Sequence, residues 1–317
     1  MIESAQKRTL VIVGNGFDTA HGCKTSFCNF EEYIKANYSD LHYYLESCAT
    51  LDLWSDFERA LGLLDVSGLY REPLFGFDMV NNDDDERRNH QIADEINNSE
   101  NLIINGLKNA LNDWILTIDV CKEKKSNLCK IFKEAFVITF NYTAMLEFTY
   151  GFFEKDLIYL HGKARERIKW NHHDDRELVS DLVVGHGDKT ASYDINTARI
   201  TPSDNIVLDE VETNGHKDVL KALYKDTDKQ MHLLSPIFSN ADKFRDVFII
   251  GHSLSEIDAP YFKELIHKLN KNIPITITFY GEKDFYDKKS KIPILFPGNN
   301  IKLIDANYFI CSPINNP

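Results

Sequence analysis

The chain lacks any C-x-x-C pair. Its six cysteines (Cys23, Cys28, Cys48, Cys121, Cys129 and Cys311) are scattered, which argues against both a zinc knuckle and a disulfide framework. Glycine and proline are scarce, at 15 and 9 in 317 residues, too few for a collagenous or low-complexity chain. Basic charge is short as well. With 36 Lys and Arg against 49 Asp and Glu the net charge is −13, a surface that repels phosphate backbones, so direct nucleic-acid binding is not expected. Long apolar runs are missing: Leu10–Val13 is far shorter than a signal core or a membrane span. A cytoplasmic location without membrane contact is therefore the expectation.

The remaining composition, 43% hydrophobic and 27% charged, is that of a globular protein with a sizeable core. Short runs rich in Val, Ile and Phe stand at Thr9–Val13, Phe136–Phe140, Leu157–Leu160, Leu182–Gly185, Val247–Ile250, Ile275–Phe279 and Ile301–Ile304. They do not alternate with polar residues, so each reads as a strand covered on both faces. With helical segments between them, they predict an α/β fold: a doubly wound, mostly parallel, Rossmann-like sheet of about six or seven strands. Three- and four-residue apolar spacing predicts helices over Phe30–Ala36, Leu41–Ser47, Trp54–Leu64, Ile92–Ile118, Tyr142–Phe152, His216–Tyr224 and Pro260–Leu269. The chain reads as one domain over residues 1–317, with a helical insertion over 30–134 after the first strand. The charged stretch Asn81–Arg88 within that insertion reads as a solvated loop, and residues 165–214 as a lid or an irregular excursion.

Four segments carry candidate chemistry. In the first, Leu10–Val13 runs into Gly14-Asn15-Gly16-Phe17-Asp18-Thr19-Ala20-His21-Gly22. Gly-x-Gly after a buried strand lets the backbone turn sharply and approach a pyrophosphate at a helix start; the alternative is a tight turn without a ligand, since Thr19 stands where a third glycine would complete the fingerprint. In the second, Thr139-Phe140-Asn141-Tyr142-Thr143 ends a strand in an Asn that either reaches a ribose or caps the next helix. In the third, Leu160-His161-Gly162 puts His161 where a general base stands, or where a core histidine is satisfied. The fourth, Gly251-His252-Ser253-Leu254 with Asp258 beyond, offers amides and hydroxyls to a phosphate or ribose. His21 follows Asp18 at three residues, on the same helical face if the turn becomes helix, or simply packs the turn. His172, His173, Asp174 and Asp175 are adjacent and point apart, so no metal site is expected.

The order G-x-G, Asn, L-H-G, G-x-S-L resembles the sirtuin-like NAD-binding fold. More specifically, G-N-G-F-D-x-A-H-G-x-x-T-S-F (Gly14–Phe27), Trp54-Ser55-Asp56-Phe57-Glu58, T-F-N-Y-T (Thr139–Thr143), L-H-G and G-H-S-L-x-x-x-D (Gly251–Asp258) look like the AbiH family of bacteriophage abortive-infection proteins. The resemblance implies an anti-phage effector that hydrolyses NAD to nicotinamide and ADP-ribose, with NAD as substrate or ligand and no metal. Asn141 would hold the ribose and a water, and His161 would take a proton. Asp18 or Glu58 would stabilise the positive ring; the alternative for both carboxylates is helix capping or a structural ion pair. Gly14, Asn15, Gly16, Phe17, His21, Thr139, Gly251, His252 and Ser253 would line the nucleotide. Thr143 stands where the sirtuin pattern has an Asp, and the four-cysteine zinc module has no counterpart, so deacylation is disfavoured. A toxic NADase implies control by self-assembly or by a partner defence protein. The alternative is a nucleotide-binding sensor that passes occupancy to a partner without turnover.

Overall fold

Leu10, Val11, Ile12 and Val13 are all buried because their strand is covered on both faces. In chain order the elements are β1 (Arg8–Val13), α1 (Asn15–Ala20), α2 (Phe27–Asn37), α3 (Ser39–Cys48), α4 (Phe57–Leu61), α5 (Leu107–Thr117), α6 (Ser126–Phe132), β2 (Ala135–Thr139), α7 (Met145–Tyr150), β3 (Leu157–Tyr159), β4 (Phe244–Ile250), α8 (Ala259–Lys268), β5 (Ile275–Phe279), α9 (Gly281–Leu295), β6 (Ile301–Asp305) and α10 (Ala306–Cys311), with shorter helical turns between them. The computed structural model describes residues 8–66, 94, 97–166, 181–187 and 218–311. The chain forms two compact units: Met1–Ser26, Ile115–Arg165 and Asp226–Pro317 make the first, Phe27–Trp114 and Glu166–Lys225 the second.

The first unit holds a six-stranded sheet in the order β3-β2-β1-β4-β5-β6, every pair parallel. This is the order of the doubly wound dinucleotide-binding fold, and the fold class is α/β, Rossmann-like. The period of two along each strand sorts the core. Leu10, Ile12, Ile138, Phe140, Val247 and Ile249 face one layer with Tyr261, Phe262 and Leu265 of α8. Val11, Val13, Val137 and Ile250 face the other, with Phe17 of α1, Leu128 and Phe132 of α6, and Met145 and Leu146 of α7.

One expected strand is absent. Leu182 and Val184 are buried, but Leu182–Gly185 joins no sheet; the next residue, His186, forms an isolated parallel contact with Tyr224. Its backbone is satisfied locally, with His186 N–H donating to Leu223 O at 2.9 Å and Lys225 N–H to His186 O at 2.8 Å. Among the described residues the run is buried without being part of the sheet. The helix expected over Trp54–Leu64 shortens to α4, and that over Tyr142–Phe152 to α7. The 81–88 stretch and the His172–Asp175 stretch lie outside the described residues.

Candidate functional site

Parallel pairing brings the C-terminal ends of β1, β2, β3 and β4 to one edge, where Gly14, Asn141, His161 and Gly251 follow their strands. In such sheets the ligand crevice lies outside this edge, at the point where the strand order reverses, here between β1 and β4.

The glycines at that point are required by the protein's own backbone. A Cβ on Gly14 would lie 2.7 Å from the His252 Cα, and one on Gly16 2.8 Å from the Gly251 carbonyl oxygen. Gly251 has φ +65°, and its Cβ would fall 2.1 Å from the Phe17 nitrogen. The two loops are stitched by Gly14 N–H to Ile250 O at 3.0 Å and Gly16 N–H to Gly251 O at 2.7 Å, while Phe17 N–H donates to Gly14 O at 2.9 Å. Gly251 N–H donates to the Thr278 hydroxyl at 2.9 Å. The close approach expected toward a pyrophosphate is thus made between two loops, and the amides of Gly14, Gly16, Phe17 and Gly251 are already used.

Asp18 forms the polar centre of the edge. Its side chain, 1% exposed, accepts from Asn141 Nδ2 at Oδ1 (2.9 Å) and from the Thr143 hydroxyl at Oδ2 (2.6 Å). Both hydrogen bonds favour the carboxylate, but burial outweighs them and pushes the carboxyl from 3.8 up to about 7. Thr143, noted in the sequence as a departure from an Asn-x-Asp pattern, thus holds a carboxylate that comes from α1. Asn141 does not cap α7; its N–H donates to the Thr139 hydroxyl at 3.1 Å. Its Oδ1 is buried and, among the described residues, has no hydrogen-bond partner.

Phe140 makes T-shaped ring contacts with two histidines, His161 at 5.0 Å and His252 at 4.3 Å between centroids. Both rings face one carboxylate: His161 Nε2 lies 3.4 Å from Asp258 Oδ1, and His252 Nε2 3.4 Å from Asp258 Oδ2. All three are buried. The Leu254 N–H donates to His252 Nδ1 at 2.9 Å, so the neutral His252 ring carries its proton on Nε2, toward Asp258.

Other expected site residues have partners within the protein. Phe17 is fully buried against Phe132 and Tyr150. His21 spends Nδ1 on Phe17 O at 2.8 Å and Nε2 on the Tyr150 hydroxyl at 2.7 Å, and burial lowers its proton affinity. Asn15 donates to Thr25 O at 2.8 Å, while Ser253 is exposed and its carbonyl accepts from Lys291 at 3.3 Å. Glu58 belongs to the second unit, where it pairs at 2.7 Å with the buried Lys225: the structural reading of that residue.

Sequence reasoning did not assign Asp258, although it closes the G-H-S-L-x-x-x-D motif. It also missed Glu31, His42 and Glu46, whose donor atoms lie within 4.8 Å of one another in the second unit. There Lys35 Nζ already holds Glu31 at 2.5 Å, and the Trp54 indole N–H holds Glu46 at 2.5 Å.

No curated protein matches the chain. The profile of the family described as bacteriophage abortive infection AbiH matches residues 10–279, most of the chain and every strand-end motif described above, and the protein belongs to the AbiH family.

Proposed function

We propose that the protein is an anti-phage abortive-infection effector that hydrolyses NAD to nicotinamide and ADP-ribose at the Asp18–Asn141–His161 edge. The family's description supports the defence role. The observation that carries the chemistry is Asn141, whose Nδ2 is held by Asp18 while its buried Oδ1 has no donor among the described residues. A buried acceptor left unpaired costs about 1–3 kcal/mol, and a ribose hydroxyl donating to it recovers that on binding. In the reaction, water attacks the anomeric carbon and the C–N bond breaks with its electron pair leaving on nicotinamide. His161 takes the proton that water loses. The transition state is oxocarbenium-like, and the Asp18 carboxylate, populated near neutral pH, opposes its positive charge.

The test is nicotinamide release from NAD by the purified chain, followed by chromatography, beside calorimetric titration of NAD. Wild type should release nicotinamide. His161→Ala should keep affinity within about threefold and lose about 10²–10⁴-fold in turnover, as for a lost general base. Binding without release under any condition would favour a nucleotide sensor; neither binding nor release would end the NAD reading.

A further inference from the structure

Trp54, which opens the Trp54–Glu58 motif, takes no part in the strand-end site; it lies in the second unit and orders a different set of side chains. Its indole N–H donates to Glu46 Oε1 at 2.5 Å, and its ring stacks on that of His42, with 3° between the planes and 5.8 Å between centroids. One buried residue thus orients both a carboxylate and an imidazole. His42 and Glu46 stand four positions apart on α3 and so share a face of that helix. Glu31 reaches them from α2, which a single residue, Tyr38, joins to α3.

His42 Nε2 is buried and makes no hydrogen bond, yet Glu31 Oε1 stands 3.8 Å and Glu46 Oε1 3.9 Å from it. Neither form of the ring explains that spacing. A bare Nε2 would aim its lone pair between two carboxylates, whereas an Nε2–H has one hydrogen and would close on one oxygen to about 2.8 Å instead of standing equally far from two. A cation among the three atoms satisfies all of them. Because the three donor atoms lie within 4.8 Å of one another, the point equidistant from them is about 2.0–2.5 Å from each, against about 2.0–2.2 Å for zinc bonds to imidazole nitrogen and carboxylate oxygen.

We propose that Glu31, His42 and Glu46 bind one divalent transition-metal ion of the zinc class, which clasps α2 to α3. One imidazole and two carboxylates suit such an ion, with water as the fourth ligand. His42 coordinates through Nε2, and the Trp54 N–H stays on Glu46 and holds the carboxylate toward the ion. Lys35, half exposed, has its Nζ 2.5 Å from Glu31 Oε1 and yields that oxygen when the ion arrives. The site belongs to the second unit and does not depend on the NAD reading.

The test is calorimetric titration of zinc chloride into chelator-stripped full-length protein, with circular dichroism to show that each variant is folded. Wild type should bind one ion with a dissociation constant of about 10 μM or below. His42→Gln and Glu46→Gln should each weaken binding about 100-fold or more, and Trp54→Phe, which keeps the stack but removes the N–H, about 10-fold. Lys35→Met should strengthen it about twofold to fivefold, because the competing cation is gone. Cobalt(II) in place of zinc should give the intense visible absorption of a four-coordinate site, lost in His42→Gln. A wild type that binds no zinc at about 100 μM overturns the proposal. Zinc binding that His42→Gln and Glu46→Gln leave intact also overturns it and marks an adventitious ion only, and so does binding that Lys35→Met weakens.

Discussion

Replacing Asp18 by Asn should stabilise the protein above neutral pH while abolishing its chemistry. Asn has the shape of a protonated Asp. Its Oδ1 still accepts from Asn141 Nδ2, and its Nδ2 donates to the Thr143 hydroxyl, which turns from donor to acceptor. The gain comes from the proton. Well below pH 3.8, folded and unfolded chains both hold it, and Asp18 makes stability independent of pH. Above 3.8 the unfolded chain releases the proton, whereas the folded chain keeps it until about 7, so the native state loses ground as pH rises through that window. At about 1.4 kcal/mol per tenfold change in proton affinity, the loss reaches about 4 kcal/mol by about pH 8. Of this, about 2 kcal/mol develops between about pH 5 and pH 7. Asp18→Asn removes the whole penalty. Hydrogen exchange of the β1 and β2 amides, measured for both proteins across that range, reports on the unit that contains Asp18. The variant should gain on wild type steadily from about pH 4 and level off above about pH 7. A variant less stable than wild type at about pH 8, or a difference that does not vary with pH, would show that the native carboxylate is ionised and fully compensated, and the reasoning from burial would fail.

Gly251→Ala combines a left-handed φ with a Cβ 2.1 Å from the Phe17 nitrogen, so it should cost more than about 3 kcal/mol and be seen as loss of soluble protein or a large drop in melting temperature. Gly22→Ala, at φ +84° with nothing within 4 Å of the new Cβ, should cost only about 1 kcal/mol and separates strain from collision. Glu58→Gln should destabilise by about 2–3 kcal/mol in urea titration, because it removes the carboxylate charge 2.7 Å from the fully buried Lys225 ammonium while keeping an acceptor for it.

The sheet was legible because its strands are covered on both faces. Leu10–Val13 has no polar interruption to confuse the period, and its continuation into Gly14 marks the strand end. Leu182–Gly185 shows the limit of that signal: burial produces the apolar run, and burial outside the sheet looks the same in sequence as burial in it. Helix α9 was not legible at all. Over Gly281–Leu295 its fully buried side chains are Lys288 and Leu295, and Lys288 is satisfied by Thr278 O at 2.9 Å and Asp284 at 2.6 Å, so the helix carries no apolar stripe. At the site, residue types were readable and partners were not. Asp18 meets Asn141 across 123 positions, and no local pattern announces that Thr143 donates to it. Gly-x-Gly was recognised as a place of close approach, but the approaching group is the Gly251 backbone, which the sequence does not connect to it.

That last substitution of partner changes where a nucleotide is expected to lie. In the order β3-β2-β1-β4-β5-β6 the loops after β1 and β4 part at the reversal and ordinarily leave a crevice between them. Here the Gly16 N–H to Gly251 O bond at 2.7 Å joins those loops, and the amides of Gly14, Gly16, Phe17 and Gly251 are spent within the protein. The buried acceptor that awaits a donor, Asn141 Oδ1, lies one strand over, at the end of β2. If NAD binds, its ribose should therefore seat over β2, and the β4 loop should contribute little to affinity. Titration of NAD into Ser253→Ala should give a dissociation constant within about twofold of wild type, because that side chain is exposed and its loop's amide is engaged elsewhere. Asn141→Ala removes the unpaired acceptor and should weaken binding about fivefold to tenfold, the equivalent of one hydrogen bond of about 1–1.5 kcal/mol. Both variants keep the Gly16–Gly251 contact; Asn141→Ala also removes the Nδ2 donor to the buried Asp18, so circular dichroism should show it folded before the affinities are compared. The opposite ranking, with Ser253→Ala the weaker binder, would place the ligand in a crevice between β1 and β4 that opens only on binding, and the closed contact between the glycine loops would then be a gate and not a wall.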